Sequence, residues 1–130
     1  MARVTGIGGI FFRATDPKAL QAWYVEHLGL PDFDGYVIFK NKEETQPEAY
    51  SIFAPFKKDT EYFGDERQSF MINFRVDDLD AMLQSLRDAG VEVDAKTEDS
   101  EFGKFGWAVD PEGNRFELWE PPTIPFSPDA

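Results

Sequence analysis

Shifted against itself by 62 residues, the chain repeats its own punctuation, and this repeat limits the possible folds more than any single motif. Asp16 falls on Asp78, each before an apolar stripe of helical period, and Phe11-Phe12-Arg13 falls on Asn73-Phe74-Arg75. At a shift of 66, Tyr50-Ser51-Ile52-Phe53-Ala54-Pro55 falls on Phe116-Glu117-Leu118-Trp119-Glu120-Pro121. Each half reads as a strand, an aspartate-capped helix stopped by glycine, and a short meander ending in a strand and a proline. A sheet with a helix on one face leaves its other face bare, so two such units set together make a curved sheet with a shared cavity. The expected fold class is α+β: two pseudo-symmetric βαβββ modules forming a curved mixed sheet around that cavity. At 130 residues one domain suffices, with module one at about 4–55, a connection at 56–69, module two at about 70–121 and a tail at 122–130.

The helices carry the clearest signals. Asp16-Pro17 places a capping acid before a proline at the first helical position, Leu20, Trp23, Tyr24, His27 and Leu28 follow at helical spacing, and Gly29 supplies the stop. His27 falls in the last turn, where the helix dipole favours it, and is read as structural. Asp77-Asp78 opens the second helix, Leu79, Met82, Leu83, Leu86 and Ala89 form its buried stripe, and Gly90 ends it. Alternating patterns predict strands over 5–13, 36–40, 49–53, 70–76, from Val91, and over 105–109, with 41–47 a polar loop and the acidic stretch around Glu98, Asp99 and Glu101 a solvated loop. The connection 56–69 is too long for a turn and reads as linker, lid or binding loop. The proline-rich tail is expected on the surface or partly disordered.

The segment Asp110-Pro111-Glu112-Gly113-Asn114 reads as a hairpin turn, because Pro111 presets φ and Asp110 can bond its own backbone ahead. In the strand that follows, Phe116 and Leu118 point one way and Arg115, Glu117 and Trp119 the other. Glu117 is thus either a solvated outer-face residue or part of a lined cavity.

Composition excludes several functions. Thirteen basic against twenty-five acidic residues give a net charge of -12, which repels phosphate backbones, so no nucleic-acid partner is expected. The absence of cysteine removes disulfides and thiolate chemistry and suits a cytoplasmic protein. No apolar run is long enough to span a bilayer, and the first five residues lack the apolar region of a signal peptide, so neither membrane nor export is expected. Thirteen phenylalanines, four tyrosines and three tryptophans serve a core first and ligand stacking second.

The paired modules, the Thr15-Asp16-Pro17 and Val76-Asp77-Asp78 helix starts and the Asp110–Pro121 ending resemble the vicinal oxygen chelate superfamily, which includes glyoxalase I, extradiol dioxygenases and bleomycin resistance proteins. Metal-dependent members take ligands from four cavity-facing strand positions, which map here to Gly9, Ser51, Met71 and Glu117. Only Glu117 can ligate a divalent ion well, so the resemblance implies an incomplete metal site; no cofactor is expected, and a divalent metal would need displaced ligands in loops. Phe11, Arg13, Ser51, Phe53, Asn73, Arg75, Trp107 and Trp119 are the candidate ligand-binding residues, aromatic walls with a few polar groups. The reading is a glyoxalase-like protein that binds a small organic molecule, as a homodimer like many relatives. The alternative is a lyase, isomerase or dioxygenase-type enzyme with Glu117 as general base or metal ligand. A purely structural role for Glu117 would be an ion pair with an arginine of the same face.

Overall fold

The computed structural model describes residues 2–3, 7–46 and 48–122. The expected strand start at Thr5, the loop residue Pro47 and the tail from 123 onward lie outside them.

Both helices form where their caps place them. Helix α1 (Pro17–Leu28) begins with the Asp16 carboxylate accepting the Ala19 amide at 3.1 Å and ends at Gly29 with φ 70°, and it buries Leu20 and Tyr24. Helix α2 (Leu79–Asp88) begins with Asp78 accepting the Ala81 amide at 3.0 Å and buries Leu79, Leu83 and Leu86.

In the second half, β3 (Asn73–Arg75), β4 (Glu98–Ser100), β5 (Gly103–Val109) and β6 (Arg115–Glu120) form one mixed sheet in the order β3-β6-β5-β4. Strand β3 runs parallel to β6 and the other pairs are antiparallel, so the fold is α+β with a mixed sheet. Val93 bridges Ala108 ahead of β4, so the chain after α2 runs along β5 and this half is a strand, a helix and three strands. The acidic stretch expected as a loop is instead partly strand β4: its side chains are all exposed, and its backbone pairs with β5.

The first half keeps its helix but, among the described residues, only one short ladder. A hairpin joins β1 (Asp32–Phe33) to β2 (Tyr36–Val37) through Asp34 and Gly35 at φ 52° and 89°, a two-residue turn that needs positive φ at both positions. The expected strands at 5–13 and 49–53 are not strands among the described residues, and Phe11 and Phe53 stand 95% and 86% exposed. Alternation sets which side chains share a face, but a strand also needs a neighbouring backbone to bond, and that partner is not encoded in the pattern.

The core lies between the helices and one face of the sheet, where Phe116, Leu118 and Ala108 meet Leu20, Tyr24, Leu79, Leu83 and Leu86. The turn after β5 ties α1 to this sheet. Buried Asp110 accepts the Tyr24 hydroxyl at 2.7 Å and the Glu112 and Asn114 amides at 2.9 and 3.0 Å, while Glu112 accepts the Thr15 and Asp16 amides at 2.6 and 2.9 Å. Burial, reinforced by the bond to Asp110, pushes the Tyr24 hydroxyl far above the ordinary phenol range.

The Asp16 and Thr15 amides hold the Glu112 carboxyl below the usual carboxylate range. A group whose pKa is depressed by folding stabilises the native state above its unfolded value and loses that contribution as pH falls through its folded value. Thermal melts between about pH 5 and pH 3 are expected to fall less steeply for Glu112→Gln than for the wild type. Identical slopes would show that this contact does not anchor α1.

Candidate functional site

On the sheet face away from the helices, the register lines side chains up in rows across three strands. Asn73 in β3 and Trp107 in β5 flank Glu117 in β6, and Arg75, Trp119 and Phe105 form the next row. Because side chains alternate, the same strand β6 that sends Phe116 and Leu118 into the core turns Glu117 and Trp119 to this face. This face is covered as well: Glu117 is 7% exposed and Trp107 2%.

The Glu117 carboxylate receives three donors. Asn73 Nδ2 donates to Oε1 at 2.6 Å, Trp107 Nε1 donates to Oε2 at 2.9 Å, and the Tyr62 hydroxyl also donates to Oε2. Neutral donors thereby compensate a charge that would be costly to bury alone. A carboxylate offers about four acceptor positions, so one remains, on Oε1.

Tyr62 belongs to the connection 56–69, which acts as a strap across this row. Its ring stands edge-on to Trp107, with centroids 5.9 Å apart at 89°, and stacks on Phe56 at 5.5 Å and 28°. Burial first, then the bond to Glu117, pushes the Tyr62 hydroxyl well above the ordinary phenol range. Two further anchors fix the strap. Gln68 donates from Nε2 to the Arg115 carbonyl at 2.7 Å and accepts the Arg115 amide at 2.9 Å, and Gly64, at φ 86°, sits so close that a β-carbon there would lie 2.9 Å from Arg115 Cδ. The Arg115 guanidinium lies 5.4 Å from the Trp107 ring centre and pairs with Asp94 at 3.2 Å, leaving its buried Nε without a partner.

The second row is aromatic. Trp119 stacks on Phe105 at 6.2 Å and 9°, meets Tyr50 edge-on at 5.5 Å, and donates from Nε1 to the Phe102 carbonyl at 2.8 Å. Arg75 donates to Glu44 at 2.6 Å and to the Tyr50 carbonyl at 2.7 Å, and Ser51 Oγ lies 3.5 Å from the same guanidinium. Burial raises the Glu44 carboxyl, but the bonds from Arg75 and the Gln46 amide, with the Arg75 charge, outweigh it and leave the group below its usual range. A cleft of about 180 Å³ opens here, lined by Leu28, Glu44, Gln46, Arg75, Val76 and Met82 rather than by Glu117.

Of the residues singled out by sequence, Asn73, Trp107 and Glu117 meet in the first row, and Arg75, Ser51 and Trp119 gather at the second. Phe11, Arg13 and Phe53 lie exposed in the first half, on segments that form no strand among the described residues. No arginine pairs with Glu117: Arg75 binds Glu44 and Arg115 binds Asp94, so the carboxylate is satisfied by neutral groups. The family's metal positions do not fit an ion. Gly9 has no side chain, the ring of Phe11 lies against it, Ser51 approaches Arg75, Met71 is a soft ligand, and three N–H and O–H donors occupy Glu117. Among the described residues no group of three or more His, Cys, Asp or Glu is placed to hold a metal. Tyr62, Gln68, Glu44 and Tyr50 were not foreseen as site residues; the only sequence cue for Tyr62 was an aromatic pair beside a glycine inside an unusually long connection.

The glyoxalase-like domain family matches residues 9–119 of the chain. No curated protein matches. Among solved structures, TnmS3, an antibiotic-binding protein from Streptomyces sp. CB03234, aligns with 20% identity over 94% of this chain and 100% of its own, at a TM-score of 0.58. A protein of unknown function from Agrobacterium tumefaciens str. C58 aligns with 24% identity over 88% of this chain and 96% of its own, at 0.51. A glyoxalase family protein from Enterococcus faecalis aligns with 25% identity over only 38% of this chain and 40% of its own, at 0.35. The two broad alignments show a shared fold.

Removing the Tyr62 hydroxyl takes a charge-assisted bond from Glu117 without opening a cavity. Tyr62→Phe is expected to lower stability to urea by about 1.5–3 kcal/mol, and to speed hydrogen exchange at the Gly64 amide, which bonds the Glu61 carbonyl at 3.0 Å. Unchanged stability and exchange would show that the strap is held by its other anchors alone.

Proposed function

Because the chain belongs to the glyoxalase-like domain family of the vicinal oxygen chelate superfamily, we propose that it binds a small organic molecule on the sheet face that carries Glu117, without the metal cage of that superfamily's metalloenzymes. One observation carries the reading: a buried carboxylate held by Asn73, Trp107 and Tyr62, set in aromatic surroundings. Small-molecule sites have this make-up, apolar walls for affinity and a few fixed polar groups for orientation. With three donors already on its oxygens, Glu117 serves to orient a ligand rather than to abstract a proton. The scaffold is one on which an antibiotic-binding protein is also built.

The reading includes a homodimer in a cytoplasmic setting. Phe11, Ile52 and Phe53 are 95%, 66% and 86% exposed, and apolar surface of this kind is ordinarily covered by a partner. The lack of cysteine suits a reducing compartment. No helix among the described residues is long and apolar enough to cross a membrane.

Small aromatic compounds that carry a hydrogen-bond donor are expected to raise the melting temperature, as any ligand specific for the native state does. Glu117→Gln is expected to weaken their binding about tenfold or more, with no turnover in either protein, and a chelator is expected to leave both the melting temperature and the ligand-induced rise unchanged. Conversion of a substrate by the wild type that is lost in Glu117→Gln, or near-stoichiometric metal that depends on Glu117, would replace the binding reading with an enzymatic one.

A further inference from the structure

Tyr62 is placed as a ligand would be. Its hydroxyl donates to Glu117, one face of its ring stacks on Phe56, and the ring stands edge-on to Trp107, yet it arrives on a connection rather than on the sheet. With the phenol seated there, the first row is sealed and Glu117 is only 7% exposed, so a molecule reaching Oε2 must take the phenol's place. We propose that the Glu117 site takes a flat aromatic bearing a phenolic hydroxyl, and that Tyr62 is its internal occupant, displaced when the ligand binds. The proposal rests on the binding function given above and names its ligand class.

The chemistry of the row selects among aromatics. Glu117 Oε2 accepts from both Tyr62 and Trp107, so a replacement for Tyr62 must donate a proton; a ligand with only a carbonyl would leave the buried carboxylate one donor short. An anionic ligand would meet Glu117 as a like charge within a chain of net charge -12. Trp107 provides the aromatic wall on the sheet, and Phe56, the ring on which Tyr62 stacks, provides one on the strap. The burial and hydrogen bond that push the Tyr62 hydroxyl up would act alike on a bound phenol and keep it the neutral donor the site requires. The strap need not leave the protein, because Gln68 holds its far end to Arg115 by two bonds independent of Tyr62.

The test compares 2-naphthol with naphthalene on the wild type, Tyr62→Phe and Glu117→Gln, by calorimetric titration. Tyr62→Phe keeps the shape of the strap and leaves no hole, but removes the hydroxyl that competes for Glu117. 2-Naphthol is expected to bind Tyr62→Phe about tenfold tighter than the wild type, because no Tyr62–Glu117 bond has to break, to be preferred over naphthalene in both proteins, and to lose that preference in Glu117→Gln. In the wild type, saturating 2-naphthol is expected to speed exchange of the Gly64 amide as the strap lifts. If 2-naphthol binding depends on Glu117 but is unchanged or weakened in Tyr62→Phe, displacement is overturned while the small-molecule site stands. If neither aromatic binds in a Glu117-dependent way, the proposal and the site both fall.

Discussion

A carboxylate buried in the middle of a strand must find donors, and the donors of Glu117 come from three separate segments. Asn73 comes from the neighbouring parallel strand, Trp107 from the neighbouring antiparallel strand and Tyr62 from the strap, 44, 10 and 55 residues away along the chain. An unpaired charge at that depth would cost several kcal/mol, so the strap's course over the sheet and the register of β3 and β5 against β6 are coupled to one side chain. The proposed site and its covering are therefore the same structure.

The opposite face of β6 shows why this is possible in a small protein. Phe116 and Leu118 anchor β6 to the two helices, and the Asp110 turn pins α1 to the hairpin through Tyr24, Thr15 and Asp16. With one face fixed in this way, the alternation of the strand leaves Glu117 and Trp119 no choice of direction. The helix-packed side of the molecule aims the side that carries Glu117.

The helices, their caps, the hairpin turn and the two faces of β6 were legible because each is a local rule: a capping aspartate, a helical stripe, a proline before a glycine, a period of two. The Asp34-Gly35 turn follows the same kind of local rule, and the strand after it ends at Val37, short of the alternation that runs over 36–40. Pairing was less legible, since β4 hides in an acidic stretch whose side chains say only that they are solvated, and the segments around Phe11 and Phe53 carry a strand pattern without a ladder among the described residues. At the site, Asn73, Trp107 and Glu117 could be placed on one face by counting. Tyr62 could not, because its position depends on how a long connection folds back, and Arg75, which a purely structural role for Glu117 would pair with it, instead meets Glu44, a loop residue 31 positions away from it. Long-range partnership of this kind leaves no periodic trace.

The most direct test uses the three tryptophans as reporters. Trp107 donates its indole N–H to Glu117, Trp119 donates to the Phe102 carbonyl, and Trp23 packs among Tyr24, His27 and Phe116 on the other side of the sheet. In a 1H–15N spectrum recorded during titration with a hydrogen-bond-donating aromatic, the Trp107 indole signal should shift progressively and saturate while that of Trp23 stays in place. Saturable binding that leaves the Trp107 signal unmoved would contradict the claim that Glu117 and its donors form the ligand site.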